Sequence, residues 1–238
     1  MASAKVYKLT DPTKPAKSLI VMLKIEIIFT VTAIIAKLYS TRVLFDINNA
    51  EFPSDEAMMS AVDRSDMIVN VNGYIQLLLS LIILVTCFRW MYRAAANNHA
   101  WGIENISQKP HWCWINFIIP VWSLFRPYHF FCEIWNATEF NKADPAAWKN
   151  LPGPKCLKVY WTCFIAGRIL DKIIRTMNRG IDLSIEQLIA VNNLSILSCL
   201  IGIVTNAAFI MLVSGIMTRQ LQYRSILEEQ NAAKETLL

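Results

Sequence analysis

Four long apolar runs alternate with polar stretches along this chain, at residues 18–39, 67–88, 157–177 and 194–217. Each is about 20 residues long, the length an α-helix needs to cross the hydrocarbon core of a bilayer. The pattern predicts an all-α integral membrane protein, a four-helix transmembrane bundle. Between the runs lie a basic arm (1–17), an acidic loop (40–66), a Trp-rich middle section (89–156), a short link (178–193) and a tail (218–238). Ser18 stands where it can cap the first run, and Asp11-Pro12 and Lys14-Pro15 argue against helix before it. No small-residue cleavage site follows the first run, so it reads as a retained span.

Composition sharpens this picture. The chain is 55% apolar and only 17% charged, with a mean hydropathy of +0.36. Soluble domains average about 45–50% apolar and about 25% charged. The net charge of +5 is not a nucleic-acid signature, because the basic residues gather in three segments rather than on one helix stripe. Those segments are the arm, residues 89–158 and the start of the tail with Arg219 and Arg224. Basic segments stay on the cytoplasmic side. Four crossings satisfy this, with both termini inside. The six cysteines include no C-x-x-C pair, which argues against a zinc site. Thiols in spans or facing the cytoplasm stay reduced, so no disulfide is expected.

The middle section holds the main ambiguity. Cys113 to Phe131 carries no acid and only Arg126 and His129 as basic side chains, and hydropathy alone reads it as another span. Pro120 and Pro127 cut it into pieces too short to cross, and the segments on both sides are basic. A re-entrant or interfacial helical hairpin, entering and leaving on the cytoplasmic side, fits these facts better. Arg89, Arg93 and Asn97 share one helix face by their i, i+4 spacing. Beyond Pro127, a first-turn proline, Tyr128, Phe131, Cys132 and Trp135 form an apolar stripe. His129 and Glu133 are four apart and within pairing distance.

Here the residues resemble a family of small bacterial membrane proteins known only as a domain of unknown function. Its pattern is W-x-Y-R-A-x-x-N after a span, then P-x-W, then I-P-x-x-x-L-x-R-P-Y, then E-x-W. This chain supplies Trp90, Tyr92, Arg93, Ala94 and Asn97, then Pro110 and Trp112, then Ile119, Pro120, Leu124, Arg126, Pro127 and Tyr128, then Glu133 and Trp135. It departs at Ser123, where the family commonly has Asn, and at Asn98, where an apolar residue is usual. The resemblance implies a four-span membrane protein and brings no activity with it.

Enzyme chemistry has no support. There is no H-E-x-x-H, G-x-S-x-G, Walker loop or G-x-G-x-x-G, so no catalytic residue, metal ligand or cofactor is assigned. His99, His111 and His129 lack ligand spacing. The expected function is non-enzymatic binding of a membrane lipid or a membrane protein partner, in a regulatory or immunity-type role. Arg93, Asn97, Arg126, Tyr128, Glu133 and Trp135 form the candidate motif. Arg93 and Arg126 would hold a headgroup phosphate, or Glu133 would complete Arg126 as a structural brace. The alternative is a small homo-oligomeric channel or transporter, for anions, using the charges of the third span. Arg168, Asp171, Lys172 and Arg175 fall at i, i+3, i+4 and i+7, and charges at that depth cost about 2.5–3.5 kcal/mol each unless they face a cavity or pair. The bland reading is that this span ends early in water. Glu26 is the other acid inside a span.

Overall fold

The computed structural model describes residues 7–103, 106–119, 123, 125–139, 147–179 and 183–235, and every regular element among them is helical. In chain order these are α1 (Thr13–Asn48), α2 (Asp55–Ala100), α3 (Trp112–Ile118), α4 (Arg126–Asn136), a 3-10 turn (Ala147–Asn150), α5 (Lys155–Met177) and α6 (Ile185–Glu235).

The helices outrun the apolar runs that predict them. α1 has 36 residues, α2 has 46 and α6 has 51. At 1.5 Å per residue even α1 is longer than the roughly 30 Å of a bilayer core. Much of the expected acidic loop is therefore helical, as the end of α1 and the start of α2. α1 also begins at Thr13 rather than at a Ser18 cap. Asp11 Oδ1 accepts the Thr13 N–H at 2.8 Å, and Pro15 falls in the first turn, where no partner for its missing N–H is needed. At the other end Ala50 adopts φ 53°, and Glu51 N–H closes the turn on the Asp46 carbonyl at 2.9 Å, a left-handed helix stop.

Three helices, α1, α2 and α6, are long and apolar enough to cross a membrane; α5, at 23 residues, has the length but not the apolar composition. Their outward residues are apolar: Ile28, Ile35, Leu78, Val85 and Met211 are 62%, 61%, 62%, 67% and 64% exposed. An apolar exterior of that extent is an aggregation hazard in water and a matched surface in lipid.

The chain divides into two compact units. The first comprises residues 1–21, 83–159 and 208–238; the second comprises residues 22–82 and 160–207.

The core of the first unit is aromatic. Trp90 stacks on Phe131 at 6.2 Å between ring centroids and meets the edge of Phe209 at 6.0 Å, while Phe131 meets Phe209 at 5.8 Å. Edge and offset contacts of this kind add about 0.5–1.5 kcal/mol each to the burial itself. Leu157, Leu212, Val213 and Ile216 are fully buried in the same unit. The stripe that α4 buries is Pro127, Phe130, Phe131 and Ile134. This corrects the expected stripe of Tyr128, Phe131, Cys132 and Trp135. Only Phe131 is common to both sets, and the other three are half-buried. α3 packs on α4. Ile119, the last residue before Pro120, is extended (ψ 118°), as a residue preceding proline must be; Pro120 itself lies outside the described residues.

Beside the aromatic core lies a buried polar network. Asn97, Asn98 and Gln220 are 0%, 2% and 1% exposed. The Asn97 amide accepts the Thr10 N–H at 3.0 Å and donates to the Thr10 carbonyl at 2.9 Å. Asn97 also donates to Gln220 Oε1 at 3.4 Å. Gln220 donates in turn to the Ala94 carbonyl at 2.8 Å and to Asn98 Oδ1 at 3.0 Å. Asn98 donates to the Ile134 carbonyl at 3.4 Å. The arm, α2, α4 and α6 are thereby fastened together by side chains whose polar atoms are all used, the condition under which buried amides stabilise.

The second unit uses single polar bonds between apolar helices. Asn72 donates to Thr32 Oγ1 at 2.7 Å and Gln76 to the Phe29 carbonyl at 3.2 Å, joining α2 to α1. Lys37 donates to Asn192 Oδ1 at 3.3 Å, and Asn192 to Ser40 Oγ at 3.2 Å, joining α1 to α6. Ser198 donates to Asp171 Oδ1 at 2.8 Å, joining α6 to α5. Such bonds in membrane proteins contribute about 0.6–2 kcal/mol each.

Candidate functional site

α4 presents Arg126, His129, Glu133 and Asn136 at spacings of three, four and three residues, so they share one face. Arg126, His129 and Glu133 lie outside the buried set of this helix, while Asn136 is buried at its end. The 3-10 turn Ala147–Asn150 is brought against it, and Asn136 Nδ2 fixes the exit of that turn by donating to the Leu151 carbonyl at 2.8 Å. A pocket of about 520 Å³ forms between them, with Arg126, His129, Glu133, Trp148 and Lys149 in its wall.

The electrostatics of this wall favour an anion. Glu133 is its one acid among the described residues, and both carboxylate oxygens are engaged. Oε2 accepts the Ser107 hydroxyl and Oε1 accepts the Gln108 N–H at 3.2 Å. Gln108 is itself held through its carbonyl by His99 Nε2 at 2.9 Å. Arg126 and Lys149 supply two cations. Trp148 is 5% exposed, and its Nε1 has no hydrogen-bond partner. A buried indole N–H without an acceptor is costly.

The six residues of the sequence motif go to different places. Arg126 and Glu133 share the pocket. Asn97 sits in the amide network and is engaged within the chain. Arg93 is half-buried on α2. Tyr128 bonds Cys132; burial, helped by the nearby Cys132, raises its phenol above the ordinary range. Trp135 carries the Arg219 guanidinium over its ring at 4.7 Å, and Arg219 also pairs with Glu139. The His129–Glu133 spacing holds on α4, but the carboxylate is bonded by Ser107 and Gln108. Of the α5 charges, Arg168, Lys172 and Arg175 are exposed. Asp171 bonds Ser198 and lines a cavity of the second unit. Glu26 is half-buried with Oε2 enclosed and without a partner.

Ser107, Gln108, Trp148 and Lys149 were not singled out by sequence. The only local signal was the W-K pair in a polar stretch; its placement beside Arg126 depends on how the turn folds back. Among the described residues no group of three His, Cys, Asp or Glu side chains could hold a metal ion, and the six cysteines are free.

Neither the curated proteins nor the solved structures include a match. The family described as domain of unknown function DUF4328 matches residues 55–218. That range holds the whole Trp90–Trp135 stretch and, at 164 of 238 residues, most of the chain. The chain therefore belongs to the DUF4328 family.

Proposed function

We propose that this chain is a non-enzymatic multi-pass protein of a bacterial inner membrane that holds the phosphate of an anionic lipid in the Arg126–Lys149 pocket. In this reading α5 is a fourth crossing, both termini are cytoplasmic, and α3 and α4 form a hairpin entering and leaving on that side. The pocket then lies at the depth of the headgroups.

One observation carries the reading: among the described residues two cations, Arg126 and Lys149, line a pocket whose one acid, Glu133, is already bonded. Arginine presents a planar fork that fits phosphate oxygens, and lysine adds a point charge. Basic pockets on the cytoplasmic side of membrane proteins bind headgroups of this kind.

The test is native mass spectrometry of the full chain released from nanodiscs of phosphatidylglycerol and phosphatidylcholine. The wild type should retain phosphatidylglycerol preferentially. Arg126→Leu and Lys149→Leu should each lose that preference, with Arg126→Lys intermediate. If both leucine variants keep their lipid, the pocket is not the site. If they keep lipid but lose a co-purifying protein, the partner is a protein and the lipid reading fails. Arg126→Leu combined with Glu133→Leu adds a further arm. Recovery of thermal stability in the double variant, with lipid retention unaffected by either change, would make Arg126 a brace on Glu133.

A further inference from the structure

We propose that a cavity within the second unit binds a small zwitterionic solute, one with an ammonium and a carboxylate on a short skeleton. The proposal stands on different residues from the Arg126 pocket and does not depend on it.

The cavity measures about 600 Å³, within the range of small-molecule sites. Each of the four long helices of the unit contributes to it: Lys37 from α1, Asn72 and Gln76 from α2, Asp171 from α5, and Ser198 and Cys199 from α6. All six lie in the segments read as spans.

Ionisable side chains at that depth pair or face a cavity, and they mark substrate paths. Lys37 and Asp171 face the same cavity, yet they form no ion pair with each other among the described residues. Each is steadied by a neutral neighbour instead, Lys37 by Asn192 at 3.3 Å and Asp171 by Ser198 at 2.8 Å. An ammonium has more N–H groups than one bond uses, and a carboxylate more lone pairs. Asn72 and Gln76 each donate one N–H, to Thr32 Oγ1 and to the Phe29 carbonyl. Their amide oxygens join Asp171 as acceptors.

The wall therefore offers a donor cation in one place and a set of acceptors in another. A simple anion would satisfy Lys37 and be repelled by Asp171; a simple cation would do the reverse. A zwitterion satisfies both and brings no net charge into the membrane, where a net charge is expensive. Free amino acids are the chemical class that fits.

Cys199 lines the cavity and is a built-in reporter. Wild-type protein in nanodiscs is treated with iodoacetamide, and alkylation of Cys199 is followed by peptide mass spectrometry, with Cys156 of the first unit as the internal control. A mixture of the proteinogenic amino acids without cysteine, whose thiol would consume the reagent, should slow Cys199 alone. When a binding member is present at about ten times its Kd, the rate should fall about tenfold, because only the empty fraction reacts. Propionate and ethylamine, which carry one charge each, should leave the rate unchanged. Asp171→Asn and Lys37→Gln should each abolish the protection, provided their melting temperatures show a folded protein. Should either fail to fold, the solute comparison on the wild type decides. The proposal is overturned if the amino-acid mixture does not protect, if propionate or ethylamine protects as well, or if both folded variants stay protected.

Discussion

The indole ring of Trp135 lies on Gly215 so closely that a methyl group there would collide with ring carbons Cζ3 and Cη2. A glycine inside a helix costs about 1 kcal/mol relative to alanine, so its place in α6 needs a packing reason, and Trp135 is that reason. One turn further along α6, the Arg219 guanidinium covers the ring at 4.7 Å. The indole is thus held against α6 by an absence at one position and a cation at the next. Gly215→Ala should lower stability by about 1–3 kcal/mol, the usual cost of overpacking. Trp135→Ala should lower it too, but the double variant should be better than the sum of the two. Thermal melting in detergent reads both, and strict additivity would show that the two residues do not share this contact.

Gln220 is the hub of the amide network, touching Ala94, Asn97 and Asn98. Gln220→Leu keeps the volume and strands the amide partners. Each buried group left without a partner costs about 1–3 kcal/mol. The variant should therefore melt well below the wild type, while Gln222→Leu, on the exposed side of the same helix, should change little. Equal melting of the two would show that the network contributes nothing to stability.

The proposed orientation rests on the three basic segments. Single cysteines introduced into a cysteine-free background should be labelled by an impermeant maleimide from outside at Ala50. At Thr10, Pro145 and Gln230 labelling should occur only after the membrane is opened. Finding Thr10 and Pro145 on opposite sides would mean that residues 113–131 cross the bilayer, and the hairpin would have to be abandoned.

Asp11 gives a pH dependence with a definite sign. The Thr13 N–H, and then its hydroxyl, hold the Asp11 carboxyl below its ordinary 3.8. A depressed carboxyl stabilises the fold above the ordinary value and loses that contribution as pH falls through the folded value. Asp11→Ala should therefore fray the start of α1 at pH 7, seen as faster amide exchange at Thr13 to Lys17. The difference from wild type should shrink as the pH is lowered below 3.8. A difference that grows on acidification would contradict the assignment.

Sequence alone determined that this is an all-helical protein with runs long and apolar enough to cross a membrane, and where the central stretch is interrupted. Both are local properties. A run of about 20 apolar residues is a statement about transfer into lipid that needs no knowledge of neighbours, and a proline breaks a helix wherever the helix packs. Sequence also picked out Arg126 and Glu133, which do share a pocket. It did not show that Trp148 and Lys149 complete the wall, nor that Ser107 rather than His129 bonds Glu133. It grouped Asn97 with the charged motif, although the partners of its amide are Thr10, 87 positions away, and Gln220, 123 positions away. It placed the buried side of α4 one residue out of register, because in a helix with aromatics on several faces the period does not say which face meets Trp90 and Phe209. Only the tertiary structure decided these points. Hydrogen-bond partners and ring contacts separated by tens of residues are chosen by which helices meet and at what rotation, and no local pattern of apolar and polar positions encodes that choice.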